Sequence, residues 1–394
     1  MAVCFTLRAL FIALLLCAFQ PTSSHSDPCE EDPWQRTWSV NENCTVTTDT
    51  AEQLTSSTMT LFLPNLYLVA LVLGLPSNLL ALWVLLFRTK RQPSTILLIN
   101  LTTCDLLLLT VLPFRIAYHF QGNNWTLGEP FCGLVMALFY GNMYGSMLCL
   151  ALIAFDRYLA LVHPLTGMTI RSRRLSAFLS MAVWAVVLVA MAPLLATKQT
   201  SPVLNLNIVT CHDVLPLEHQ HSFILPYFIS LFSICFVLPL AVVVFCYGCV
   251  LHTLITTSER YNHAAKVTVL VMVVCLVCLL PTNVLLIVHY SKVQQVEADM
   301  GLTTDTYYMP YVLSLAVSTF NSCLDPFIFY YVSEEFREKA RQVLCCRTPI
   351  QPTTSSQKTT STTSMSSRSK VTLLSTSGRL LVTPEPTCVK RDIV

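Results

Sequence analysis

Residues 150–164 read LALIAFDRYLALVHP, an apolar run that carries Asp156-Arg157-Tyr158 at its end and is followed by His163-Pro164. The run begins near 131, so 131–161 is long enough to cross ~30 Å of hydrocarbon as a helix. Working outward, similar apolar segments recur at 61–87, 95–118, 176–197, 223–251, 265–290 and 306–331. The last is the weakest by hydropathy, because Ser314, Ser318, Thr319, Asn321, Ser322 and Asp325 interrupt it. Polar residues in a span face the bundle interior or a watery cavity, so it is kept as a seventh span. Composition agrees: 54% of the 394 residues are hydrophobic and only 12% are charged. That is half the charge density of soluble chains, too little to cover a water-facing surface. A net charge of +2 is too small for a nucleic-acid-binding face. The fold expected is an all-α membrane protein, a seven-transmembrane-helix bundle occupying 61–331.

Orientation follows from the basic residues. Arg88, Lys90 and Arg91 lie in the first connection, Arg171, Arg173 and Arg174 in the third, and Arg260 and Lys266 around the fifth. The opposite connections hold only Lys198 and Lys292. Positive-inside bias puts the N-terminus outside and the C-terminus in the cytoplasm; the membrane expected is the plasma membrane. Residues 1–24 agree: Arg8, the apolar run Ala9–Phe19 and then Thr22, Ser23 and Ser24 read as a signal peptide. An uncleaved helix is the alternative, but roughly eleven apolar residues fall short of a span. The sequons at Asn43 and Asn124 fall on the outer side and are candidate glycosylation sites, whereas Asn100 lies inside a span.

The arm from 25 to 60 is polar, is expected to be disordered, and contains one basic residue, Arg36. A trypsin-like protease needs Arg or Lys at the bond it cuts, so Arg36–Thr37 is the one bond open to it there. A lone arginine with no role is the alternative. Cys29 and Cys44 flank this bond in an oxidising compartment. They close a loop around it, or else stay free or pair between chains.

Landmarks recur in each span: Asn78, Asp105, Asp156-Arg157-Tyr158, Trp184, Pro239 with Tyr247, Cys278 with Pro281, and Asp325-Pro326. In this order they resemble the rhodopsin-like G protein-coupled receptors over about 60–346. Ile116-Ala117-Tyr118-His119, Phe139-Tyr140-Gly141-Asn142-Met143-Tyr144 and Cys211-His212-Asp213-Val214-Leu215 resemble the protease-activated receptors. His252-Thr253-Leu254 and the stretch 332–337 lean toward the fourth subtype, and Gly122-Asn123-Asn124-Trp125 toward the third.

The resemblance implies that a serine protease, thrombin or another trypsin-like enzyme, cuts after Arg36. The new N-terminus, Thr37-Trp38-Ser39-Val40, then acts as a tethered ligand in coagulation-type responses. Against thrombin, Gln35 stands where it favours proline. The resemblance also implies a Cys132–Cys211 disulfide over the pocket. His212 and Asp213 beside it form a dock for the new amino group; a loop cap is the alternative for Asp213. Asp105, Ser146, Asn321 and Asp325 resemble the receptors' sodium pocket. Two close carboxyls there either share a proton or hold Na⁺ between them, and Na⁺ is the expectation. No other cofactor is implied. Asp156, Arg157, Tyr158 and Tyr247 are expected to serve coupling to a heterotrimeric G protein. Phe329 replaces the family's usual tyrosine, which removes one phenol from the activation switch.

Residues 332–346 read as an amphipathic helix ending in Cys345 and Cys346, candidate palmitoylation sites at the lipid surface. From 347 to 394 the chain is a Ser/Thr-rich tail suited to receptor kinases and arrestin, with Asp392-Ile393-Val394 for a PDZ groove. No enzyme reading arises, since the sequence shows no metal cluster and no recognisable triad. A receptor for a diffusible peptide is the alternative in the same fold; a transporter is a third, though no internal repeat supports it. The absence of a lysine from 306–331 argues against light reception through a retinal Schiff base.

Overall fold

A computed structural model describes residues 46, 48–213, 225–257, 262–298, 307–332 and 334–344. Within them, seven helices are long and apolar enough to cross a membrane. The first is α2 (Leu63–Phe87), preceded by a short α1 (Thr48–Thr55) and a π segment (Thr58–Phe62). The second and third are α3 (Pro93–Phe120) and α4 (Glu129–Leu161). A short α5 (Pro164–Ile170) leads to the fourth, α6 (Arg173–Ala196). The fifth is α7 (Leu225–Leu231) running through a π segment (Phe232–Val237) into α8 (Leu238–Thr257). The sixth is α9 (Asn262–Ala298), and the seventh is α10 (Tyr308–Ser318) continued by α11 (Phe320–Val332). A last helix, α12, covers Glu334–Leu344.

The helices form where long apolar runs leave no other way to satisfy backbone amides in hydrocarbon. Prolines start several of them, where a missing N–H costs nothing: Pro93 opens α3 and Pro164 opens α5. Ser172 caps α6 by accepting the Leu175 N–H (3.1 Å). The spans are not equivalent. About 78% of the apolar window is buried in α3 and α4, against 28% in α6 and 33% in α2. The second and third spans are therefore the centre of the bundle, and the first and fourth turn most of their surface outward.

Close packing at the centre depends on small residues. A Cβ at Gly133 would meet the Leu194 carbonyl at 3.1 Å, and Gly141 and Gly145 take up Val187 and Met191 of α6. Polar bonds then fix the helices to one another. Trp184 Nε1 donates to Asn100 Oδ1 (2.9 Å) and Asn100 Nδ2 to Ser180 Oγ (2.8 Å), so the Asn100 sequon is buried between α3 and α6. Asn78 Nδ2 donates to the Ser322 carbonyl (2.7 Å), joining α2 to α11.

From Thr48 onward the arm departs from the disorder expected of it. It forms α1 and the π segment, which bury Leu54 and Met59, two apolar residues in a polar stretch, each 1% exposed. The signal peptide, Arg36, the ligand segment Thr37–Val40, Asn43, Cys29, Cys44, Cys345, Cys346 and the tail lie outside the described residues.

Candidate functional site

One end of the bundle carries a two-stranded antiparallel hairpin, β1 (Thr200–Val203) and β2 (Ile208–Cys211), in the register Thr200 with Cys211 and Val203 with Ile208. It is pinned from three sides. Cys211 is disulfide-bonded to Cys132 at the start of α4, with Cα atoms 5.8 Å apart. Glu129 accepts the Gln199 and Thr200 backbone N–H groups. From the α3–α4 connection, Trp125 N–H donates to the Val209 carbonyl (2.7 Å) and Asn124 Oδ1 accepts the Val209 N–H (3.0 Å). Gly122, Asn123 and Gly128 give that connection the positive φ values its turns require.

Past Cys211 the chain turns sharply, with His212 at φ 69°, and places His212 and Asp213 inward. Asp213 is held by side chains of the second and seventh spans. Its Oδ1 accepts from Arg115 Nη2 (3.2 Å) and from the Tyr308 hydroxyl (2.9 Å), and its Oδ2 accepts from the Tyr118 hydroxyl. Arg115 Nη1 donates to the Cys211 carbonyl (3.0 Å). The ion pair is buried, at 2% and 4% side-chain exposure. Burial alone would raise the Asp213 carboxyl, but Arg115, His119 and the two phenols outweigh it and hold it below its ordinary range.

His212 sits beside it in a second chain of bonds. Its Nδ1 meets Gln199 Oε1 (2.7 Å) and its Nε2 meets the Tyr140 hydroxyl (3.1 Å). Gln199 Nε2 donates to Thr197 Oγ1 (2.7 Å), which leaves Oε1 to accept. Nδ1 is therefore the protonated nitrogen, Nε2 accepts from Tyr140, and Tyr140 accepts from Tyr311. Burial, reinforced by Arg115, pushes the His212 imidazole down to about 3, so it is neutral at physiological pH. The arrangement is a buried floor of phenols, imidazole and one carboxylate under a rigid hairpin. A peptide with a charged amino end and an aromatic anchor matches it chemically.

Deeper in the bundle, the residues expected to form a cation pocket come together. Asn142 Nδ2 donates to Asp105 Oδ1 (3.1 Å) and Ser146 Oγ to the same oxygen at 3.5 Å. Asn321 Nδ2 donates to Asp325 Oδ2 (3.3 Å). Asp105 Oδ2, Asp325 Oδ1, Asn321 Oδ1 and Ser322 Oγ are buried with no hydrogen-bond partner among the described residues. Orphan oxygens of this kind suit a hard cation.

At the opposite end, Asp156 forms a bidentate pair with Arg171 (2.7 and 2.9 Å). Arg157 Nε has no hydrogen-bond partner among the described residues. Tyr158 bonds His163 Nε2 (2.9 Å) and packs on Phe245, while Tyr247 is buried. Phe329, the departure from the family pattern, packs edge-on against Phe336 and so holds α12 to the seventh span.

Arg115 and Tyr308 join these sites without having stood out in the sequence, whereas Asn142 and Ser322 were visible there only as part of a motif and as a polar interruption of a span. Arg115 had one usable signal: a cation inside an apolar span needs a buried partner.

The sequence profile of the 7 transmembrane receptor (rhodopsin family) matches residues 77–329. The human proteinase-activated receptor 4 is 47% identical over 290 residues, covering 74% of each chain. The bovine proteinase-activated receptor 2 is 38% identical across 75% of this chain and 74% of its own. The human proteinase-activated receptor 1 is 35% identical across 78% of this chain and 72% of its own.

Proposed function

The chain belongs to the rhodopsin-type seven-transmembrane receptors and among them to the proteinase-activated receptors, and from that premise we propose how its activation proceeds. A protease-activated receptor coupled to G proteins needs a bond to cut and a place for the product. We assign the bond to Arg36–Thr37 and the protease to the trypsin-like class, with thrombin first. The arm then lies outside the cell and α5 and α12 lie at the cytoplasmic face. Thr37-Trp38-Ser39-Val40 acts as the ligand, its ammonium docking at His212 and Asp213.

The observation that carries this reading is the buried Asp213 carboxylate beneath the pinned hairpin. Its partner Arg115 already neutralises it, so the arriving ammonium shares it rather than finding it bare. A synthetic peptide beginning Thr-Trp-Ser-Val should evoke a calcium response without protease. On Asp213→Asn its potency should fall by about tenfold or more, the worth of a charge-assisted bond. An N-acetylated peptide should be equally weak on both receptors. Equal potency of the free-amine peptide on both would sink the docking.

Around that event the remaining assignments follow the family. Arg157 and its neighbours Asp156, Tyr158 and Tyr247 form the G protein contact. Asn43 and Asn124 carry glycans, Cys345 and Cys346 carry palmitate, and the tail recruits kinases, arrestin and a PDZ protein. Asp105, Ser146, Asn321 and Asp325 would hold Na⁺, which would supply a positive charge to offset their carboxylates. Replacing choline chloride by NaCl at constant ionic strength should raise the receptor's thermal stability, because a bound ion stabilises the folded state. Asp105→Asn should abolish that increment; an undiminished increment would remove Na⁺ from this pocket.

A further inference from the structure

Main-chain groups in an exposed arm ordinarily bond to water. At Val46 one side chain takes both of them. The Val46 N–H donates to Asn205 Oδ1 (3.2 Å), and Asn205 Nδ2 donates to the Val46 carbonyl (3.0 Å). A carboxamide presents an acceptor oxygen beside a donor nitrogen, so it imitates a neighbouring strand for a single residue. The Val46 side chain is buried as well, at 6% exposure.

Asn205 stands in the turn joining β1 to β2, and the hairpin beneath it is held by the disulfide, Glu129 and Trp125. It is a fixed post on a rigid element. Upstream of it lies the bond assigned to the protease, and the nine residues Thr37–Thr45 precede Val46. Fully extended, they reach about 30 Å. The next described element downstream is α1, beginning at Thr48, with the Leu54 carbonyl held by Asn123 Nδ2 (2.6 Å).

We propose that Asn205 is the anchor of the tethered ligand: it fixes the origin of the tether at Val46, on the turn of the hairpin whose other end leads into His212 and Asp213. This rests on the reading of Thr37 as the new N-terminus. The local concentration of the ligand is then set by the nine residues before Val46 and is indifferent to chain added after it.

The experiment uses full-length receptor and a labelled soluble peptide beginning Thr-Trp-Ser-Val, whose apparent Kd rises after cleavage as the tethered copy competes. A nine-residue Gly/Ser insertion between Asn41 and Glu42 doubles the tether. Effective concentration falls as the −3/2 power of length, so it should drop about threefold, with the labelled peptide's apparent Kd falling to match. The same insertion directly after Val46 should change nothing. In Asn205→Ala the tether runs free to α1, and the downstream insertion should now lower effective concentration about 2.5-fold. The labelled peptide's Kd on uncleaved Asn205→Ala must equal that of the parent, which a merely misfolded hairpin would not give. If both insertions act equally in the receptor that keeps Asn205, or if neither acts, the anchor is overturned. If cleavage leaves the labelled peptide's Kd unchanged in every receptor, the tethered-ligand reading has itself failed, and the anchor with it.

Discussion

Cells expressing Arg36→Ala should give no calcium response to the activating protease at any concentration, while responding in full to a peptide beginning Thr-Trp-Ser-Val. The effect is all-or-none because of how charge is distributed. Arg36 is the only basic residue between 25 and 60, so a trypsin-like enzyme that loses it has no second site on the arm. The peptide control separates loss of the bond from loss of the receptor. A retained protease response would mean that activation runs through another bond or another mechanism. Arg36→Lys should keep the response with slower onset, since lysine also enters a pocket containing a carboxylate.

The second large effect concerns stability. Arg115→Leu should leave the Asp213 carboxylate buried without its counter-ion, a change that ordinarily costs 3–5 kcal/mol. Tyr118 and Tyr308 still donate to that carboxylate, so the lower end, about 3 kcal/mol, is expected. Reduced surface expression and a lower midpoint of thermal unfolding in detergent would report it. Adding Asp213→Leu should restore much of the loss, because a buried pair replaced by apolar residues leaves no orphan charge. Wild-type stability in the single variant would show that the pair does not hold the hairpin end together.

The spans were legible in the sequence because hydrocarbon thickness imposes a length that apolar runs either reach or do not. Even the polar seventh span could be kept, since Asn321 and Asp325 make sense only facing inward. The polar cluster around Asp105 was legible for a similar reason: a carboxylate in an apolar helix demands partners. Asn142, which donates to Asp105, and Ser322, buried in the same span as Asp325, are ordinary polar residues until the helices are packed. Asp213 illustrates the limit. It was visible as an acid beside the hairpin, but its cation lies 98 residues away on another span, and no local pattern links them. The helix α1 was hidden differently, because Leu54 and Met59 become core residues only through the surface they meet. Val46 and Asn205 are 159 residues apart, and neither residue type signals an anchor in isolation.

Cleavage between Arg36 and Thr37 is the claim from which the ligand, its dock and its anchor all descend. N-terminal sequencing of surface receptor after treatment with the activating protease tests it most directly. The expected sequence is Thr37-Trp38-Ser39-Val40, appearing in step with the calcium response. A response accompanied by an intact arm, or by a new N-terminus at any other residue, would contradict it.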